Sequence, residues 1–167
     1  MRRKKAQVWF PDFIFAFLLF VLALTMSIKF ITNTFPDSGY AALLEDSERI
    51  SETFMSQGAP INWTNETVIK IGLLTDKKFD PNKMNNLTNM TYSVVRDRLT
   101  TRYDFFMFIK DPVAPHNISH SFGHPAVSII DNSTVVISAL EYDNLVKIDR
   151  FITINDSIGI LAVYIWD

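Results

Sequence analysis

Three histidines, His116, His120 and His124, stand four residues apart, and imidazoles at that spacing would line one helix face as ligands for zinc or nickel. Pro115, Gly123 and Pro125 interrupt the stretch and disfavour a helix, and Asp111 is the nearest carboxylate that could join them. The segment therefore reads as a polar surface loop, and no metal site is expected. Glu45, Asp46 and Glu48 are close enough in sequence for paired-carboxylate chemistry, but they alternate with helically spaced apolar residues and read as a solvated helix face. The chain has no Cys, which excludes disulfides, thiolate metal sites and a cysteine nucleophile. Gly-rich phosphate loops, a Gly-x-Ser-x-Gly elbow and a His-Glu-x-x-His pair are all missing from the sequence. The expectation is a non-enzymatic protein without a cofactor.

The remaining chemistry lies at the N-terminus. Arg2, Arg3, Lys4 and Lys5 precede Ala6-Gln7 and an apolar stretch that contains one acid, Asp12; from Phe13 to Ile28 there is no charge. With Val8 to Phe10 the apolar material reaches the ~20 residues needed to cross a ~30 Å hydrocarbon layer. A cleaved secretory signal would have a shorter core and a small-x-small site after it, whereas this core runs into Lys29-Phe30-Ile31. Residues 7–33 are thus expected to form a single membrane helix. The basic block holds its start on the cytoplasmic side and places everything after about Thr32 outside the cell membrane.

Asp12 requires its own explanation, because a carboxylate at membrane depth costs about 2.5 to 3.5 kcal/mol. In one reading it sits at the head-group boundary, one turn after Trp9, with Pro11 opening the helix and the positive helix N-terminus favouring the charge. In the other, the chain is cut before Gln7. That cut would remove the four bases and leave a new α-amine near Asp12, or near the Asp12 of a neighbouring copy. At ~4 Å and an effective dielectric of ~20 the two would attract by about 4 kcal/mol before desolvation is subtracted, enough to set register between packed helices.

Lys5-Ala6-Gln7, followed by an acid and an uninterrupted apolar helix, resembles the class III signal peptide of archaeal type IV pilin-like proteins. The resemblance implies that a prepilin-type leader peptidase cuts residues 1–6, with Ala6 the last leader residue and Gln7 the first mature one. It also implies that the mature helices bundle with those of other pilin-like subunits on a pilus assembly platform, with Asp12 as the assembly residue. The family acid is commonly a Glu at the fifth mature position; here Pro11 occupies that place and Asp12 follows it. Gly58-Ala59-Pro60-Ile61-Asn62-Trp63-Thr64, Ile71-Gly72-Leu73, Asn82-Lys83, Tyr92 and the ending Val163-Tyr164-Ile165-Trp166 are also similar to archaeal pilin-like surface proteins.

Charge and sequons accord with an outward-facing protein. The full chain carries a net charge of −2; subtracting the four leader bases from its 16 Lys and Arg leaves 12 against 18 acids, a net −6. Nucleic acid is therefore not an expected partner. Asn-x-Ser/Thr begins at Asn62, Asn65, Asn86, Asn89, Asn117, Asn132 and Asn155, which takes up seven of the eleven Asn and marks candidate glycosylation sites. Trp63 and Trp166 read as large apolar core anchors rather than ligand-binding groups.

The elements predicted beyond the membrane make an α+β fold: a long N-terminal transmembrane helix, then an extracellular domain over 34–167 of helix and antiparallel sheet. Ala41 to Met55 places Leu43, Leu44, Ile50 and Phe54 at helical spacing, ending at Gly58, and Pro36 to Gly39 reads as a kink after the membrane helix. A short strand is predicted over Val68 to Leu73 and one helix over Asn82 to Thr101. Strands follow at Tyr103 to Ile109, Val127 to Ile130, Val135 to Leu140, Leu145 to Ile154 and Ile158 to Trp166, with hairpin turns at Asp131-Asn132-Ser133 and Asn155-Asp156-Ser157. Val146, Ile148, Ile152 and Ile154 alternate onto a face expected to pack on a helix. The reading is a pilin-like surface subunit; the alternative is an uncleaved, single-pass membrane-anchored protein with an extracellular binding or sensor domain.

Overall fold

The structure, a computed structural model, describes residues 9–34, 38–114, 117–137 and 141–167. It divides into two compact units, Met1–Gly39 and Tyr40–Asp167. The first is built on α1 (Trp9–Thr34), 26 residues long. At 1.5 Å per residue that is roughly 39 Å, more than a bilayer core requires. Pro11 stands in the first turn, where its missing N–H would have had no helical partner. Thr25 turns its hydroxyl back to the Leu22 carbonyl at 2.9 Å, so that polar group is satisfied within the helix. Of the kink predicted over Pro36 to Gly39, Pro36 and Asp37 lie outside the described residues, and Ser38 and Gly39 already belong to the next helix.

The second unit begins with most of α2 (Ser38–Phe54). Leu43, Ser47, Ile50, Ser51 and Phe54 recur at helical spacing and are fully buried. The two serines keep the helix surface low, and each bonds to its own backbone: Ser47 donates to the Leu43 carbonyl at 2.6 Å and Ser51 to the Glu48 carbonyl at 2.8 Å. The chain then forms the short hairpin β1 (Leu74–Thr75) and β2 (Lys78–Phe79), α3 (Pro81–Thr88), α4 (Tyr92–Leu99), β3 (Asp104–Lys110), β4 (Ile118–Gly123), β5 (Ser128–Ile130), β6 (Thr134–Val136), β7 (Leu145–Ile154) and β8 (Ser157–Trp166). Six strands make one sheet in the order β1-β2-β7-β8-β3-β4, antiparallel throughout except for β2 beside β7.

This sheet is covered on both sides. Phe105, Met107 and Ile109 of β3, Val146 and Ile152 of β7, and Leu161, Val163 and Ile165 of β8 join the buried residues of the three helices in one cluster. Ile148 and Ile154 pack against it, so the alternating face of β7 meets the helices as expected. On the opposite face Phe106, Phe108, Ala162 and Trp166 form a second cluster under Val127 and under Ile129 and Val135 of the β5–β6 hairpin. Phe79 of β2 and His120 of β4 come within 5.3 Å between ring centroids although β7, β8 and β3 lie between them in the sheet. The sheet therefore curls around the helical side, consistent with the right-handed twist of strands.

Of the strand predicted over Val135 to Leu140 the structure shows Thr134–Val136, and residues 138–140 lie outside the described residues. Three other predicted elements differ. The single helix over Asn82 to Thr101 is two helices, broken at Asn89-Met90-Thr91, where Thr91 adopts extended φ −74°, ψ 147°. The Asn- and Thr-rich run from Asn85 to Thr91 has weak helix propensity, and the break lets Met84, Leu87, Met90, Val95 and Leu99 all be buried while Val94 faces out. Val68 to Leu73 makes only an isolated bridge, Lys70 with Ala59, because Gly72 lies against Gly58 and Ser56 where a neighbouring strand would have to run. The predicted histidine loop contains a strand, β4, paired with β3 from Phe106 opposite Gly123 to Lys110 opposite Ile118.

Candidate functional site

The chemically distinctive part of the chain is α1. From Phe10 to Ile31 every side chain is exposed, over 22 residues with a mean hydropathy of 2.5. Among the described residues this is the one helix long and apolar enough to cross a membrane. Asp12 lies in its first turn and is exposed. A first-turn position suits a carboxylate, since the helix dipole presents partial positive charge there. Lys5, Ala6 and Gln7 lie outside the described residues.

Of the three histidines, the structure describes His120 and His124, and each packs among aromatic rings. His116 lies outside the described residues. His120, half-buried in β4, packs edge-on to Phe79, and burial pushes its pKa below the ordinary histidine value. His124 follows β4 and stands edge-on to both Tyr92 at 5.4 Å and Trp166 at 5.8 Å. Strand geometry explains the separation: residues four apart in a strand lie ~13 Å apart, not one turn apart as on a helix. No cluster of three His, Asp or Glu among the described residues could hold a metal ion.

Asn62, Asn65, Asn89, Asn117, Asn132 and Asn155 are exposed. Asn86 is half-buried in α3 and donates its Nδ2 to the Trp63 carbonyl at 3.0 Å. Asn132 and Asn155 occupy the left-handed region at hairpin turns, with φ of 52° and 47°, a conformation Asn tolerates better than most residues. Trp63 and Trp166 are 1% and 3% exposed; Trp63 donates its indole N–H to the Gly72 carbonyl at 2.9 Å. Both are core anchors.

Other polar groups in this unit form local networks that sequence reasoning did not find. Tyr92 donates to Asp104 at 2.8 Å, accepts from the Phe105 N–H at 3.1 Å, and Arg96 reaches the same carboxylate oxygen at 2.8 Å. Burial, above all, raises the Tyr92 pKa far above the usual phenol range. Asp46 accepts from Arg49 and from Thr101, while Arg49 also donates to the Leu99 and Thr100 carbonyls, tying α2 to the end of α4. These groups border an open, mixed-charge groove of about 460 Å³ lined by Glu45, Asp46, Arg49, Arg102 and Tyr103. Lys83 is 2% exposed and donates to the Leu74 and Gln57 carbonyls at 2.6 and 2.8 Å. Lys-to-carbonyl pairing over distant sequence leaves no periodic signal. No buried side-chain nitrogen or oxygen among the described residues is left without a partner.

No protein-family profile, no curated protein and no solved structure matches this chain.

Proposed function

We propose that this chain is a non-enzymatic, type IV pilin-like surface subunit, cut before Gln7 and assembled through its N-terminal helix, with residues 34–167 displayed outside the cell. The observation that carries this reading is α1: a 22-residue apolar stretch, exposed along its whole length, with one carboxylate in its first turn. Leu, Phe and Val side chains fully exposed to water would be costly at about 25 cal/mol per Å², so the helix belongs in lipid or among other apolar helices. An acid at the first turn adds what a plain anchor lacks, a charge able to pair with the freed α-amine of Gln7 on a neighbouring helix. The partners are the membrane, other subunits of this kind, a leader peptidase and an assembly platform.

The test is the mass of the N-terminus in protein taken from its native membranes. A first residue at Gln7 supports the proposal. Retention of residues 1–6 overturns it in favour of an uncleaved, membrane-tethered binding or sensor protein. Asp12→Ala separates assembly from anchoring: insertion and folding are expected to persist while incorporation into filaments is lost.

A further inference from the structure

We propose that Asn155 carries an N-linked glycan and that this sugar covers the apolar patch formed by Phe151 and Ile158. Phe151 and Ile158 are 76% and 72% exposed, although they belong to the best-paired hairpin of the fold. Thr153 lies opposite Ile158 and Phe151 opposite Ile160, so by strand alternation Phe151, Thr153, Ile158 and Ile160 share one face. It is the face that the β5–β6 hairpin covers at the other end of the sheet, over Phe106, Phe108 and Trp166. The cover stops short of Phe151 and Ile158, leaving a groove of about 380 Å³ lined by Phe151, Ile152, Thr153 and Ile158.

The occupant is argued from position. Asn155-Asp156-Ser157 is an acceptor sequence in the turn of this same hairpin, four residues from Phe151 and three from Ile158. Asn155 is exposed, and the left-handed turn holds it at the tip, clear of the ladder. Two further sequons share this end of the sheet. Lys110 pairs with both Ile118 and Ile160, the Asn117 carbonyl accepts from Asp111, and the Asn132 carbonyl accepts from Ile118. A pyranose ring has an apolar C–H face that packs on aromatic side chains, while its hydroxyls stay in water; a short glycan rooted at Asn155 therefore suits a small apolar groove with solvent around it.

In the modification, Nδ2 of Asn155 forms a bond to C1 of a lipid-linked sugar. The C1–oxygen bond to the polyprenyl phosphate carrier breaks, the carrier leaves with the bonding pair, and Nδ2 gives up one proton and keeps the other. The inference needs an outward-facing domain but not filament assembly, so it can fail independently of the pilin-like reading.

The full chain from its native membranes, held in detergent, is the material for the test. Peptide mass spectrometry should find Asn155 carrying a sugar mass. Ser157→Ala removes the acceptor sequence while leaving Asn155 and the turn in place. That variant should lose the mass and show a several-fold rise in hydroxyl-radical labelling of Phe151, with labelling of Val113, 87% exposed, unchanged. Asn155→Gln should behave alike. An unmodified Asn155 overturns the proposal, whether or not other sequons are occupied. So does labelling of Phe151 that is unchanged between the parent chain and Ser157→Ala, the result expected if a second copy or nothing covers the patch.

Discussion

Two stretches of this chain are nearly pure hydrocarbon, and their surroundings are opposite. In β3 the run Phe105-Phe106-Met107-Phe108-Ile109 is 0 to 5% exposed, because helices cover one face of the sheet and the β5–β6 hairpin covers the other at this strand. In α1 the run from Phe13 to Ile28 is exposed throughout. Hydrophobicity alone does not separate the two; length and period do. Five apolar residues in a row are what a strand buried on both faces requires, whereas a 22-residue apolar helix exceeds the needs of a domain this size and matches the thickness of a bilayer.

Removing a ring from each stretch gives the largest contrast. Phe105→Ala should destabilise the second unit by about 3 to 5 kcal/mol, since it empties a site between α2, Tyr92 and Phe122. Phe17→Ala should leave the unfolding of that unit unchanged within about 0.5 kcal/mol. Denaturant unfolding of the full chain in detergent, followed by near-ultraviolet circular dichroism, measures both. Equal effects would mean that α1 contributes to the same cooperative core.

Adding an atom is the next contrast. A Cβ at Gly72 would lie 2.3 Å from the Gly58 nitrogen and 2.4 Å from the Ser56 carbonyl oxygen, both backbone atoms, whereas one at Gly39 would meet nothing within 4 Å. Gly72→Ala should cost about 1 to 3 kcal/mol by forcing the two segments apart. Gly39→Ala, near the start of α2, should be neutral or stabilising by up to about 1 kcal/mol. Thermal unfolding of the two variants side by side checks the difference.

Lys83 extends the comparison to charge. Replacing it with Met keeps its hydrocarbon but leaves the Leu74 and Gln57 carbonyls without their donor, an expected loss of about 1 to 2 kcal/mol at neutral pH. Burial lowers the Lys83 pKa, so between its folded value and the ordinary lysine value the unfolded chain holds more protons than the fold. Stability from this group therefore climbs as pH rises through that window, and Lys83→Met should remove that rise. Unfolding midpoints of both proteins across alkaline pH show whether it does.

What could be read in the sequence divides along the same line. Strong, long periodicities were legible: the membrane-length run, the Leu43 to Phe54 stripe, and the alternation of β7 that turns Val146 and Ile152 inward. The weak strand β4 was hidden because Ile118-Ser119-His120-Ser121-Phe122-Gly123 has little β-branched content and sits between prolines; its pairing is dictated by the apolar β3 beside it. The break at Asn89 to Thr91 was hidden because both helical stripes stay in phase by composition while the backbone between them turns. The β1–β2 hairpin was hidden because its turn, Asp76-Lys77 with φ of 49° and 65°, lacks the glycine that usually announces such a turn. Among the candidate residues, six of the seven sequon asparagines are exposed and Asn86 is half-buried. The histidine stretch, read as a loop, holds a strand instead, and the four-residue spacing that would align imidazoles on a helix separates them there.

The smallest expected effect follows from that histidine strand. Above the ordinary histidine value His120 is neutral in the folded and the unfolded chain, and its packing on Phe79 contributes in full. Burial sets its folded pKa lower, so as pH falls below about 6.5 the unfolded chain takes up a proton before the fold does. Stability must then decline as pH drops toward the folded value, and level off below it. β4 pairs on one side only, with β3, so the decline should be felt first as faster amide exchange along β4 rather than as global unfolding. Hydrogen exchange corrected for intrinsic pH dependence should show β4 less protected at pH ~5 than at pH ~7.5. His120→Gln, which cannot take up the proton, should abolish the difference. Persistence of the same acid sensitivity in that variant would move its origin to other groups and leave His120 a packing residue only.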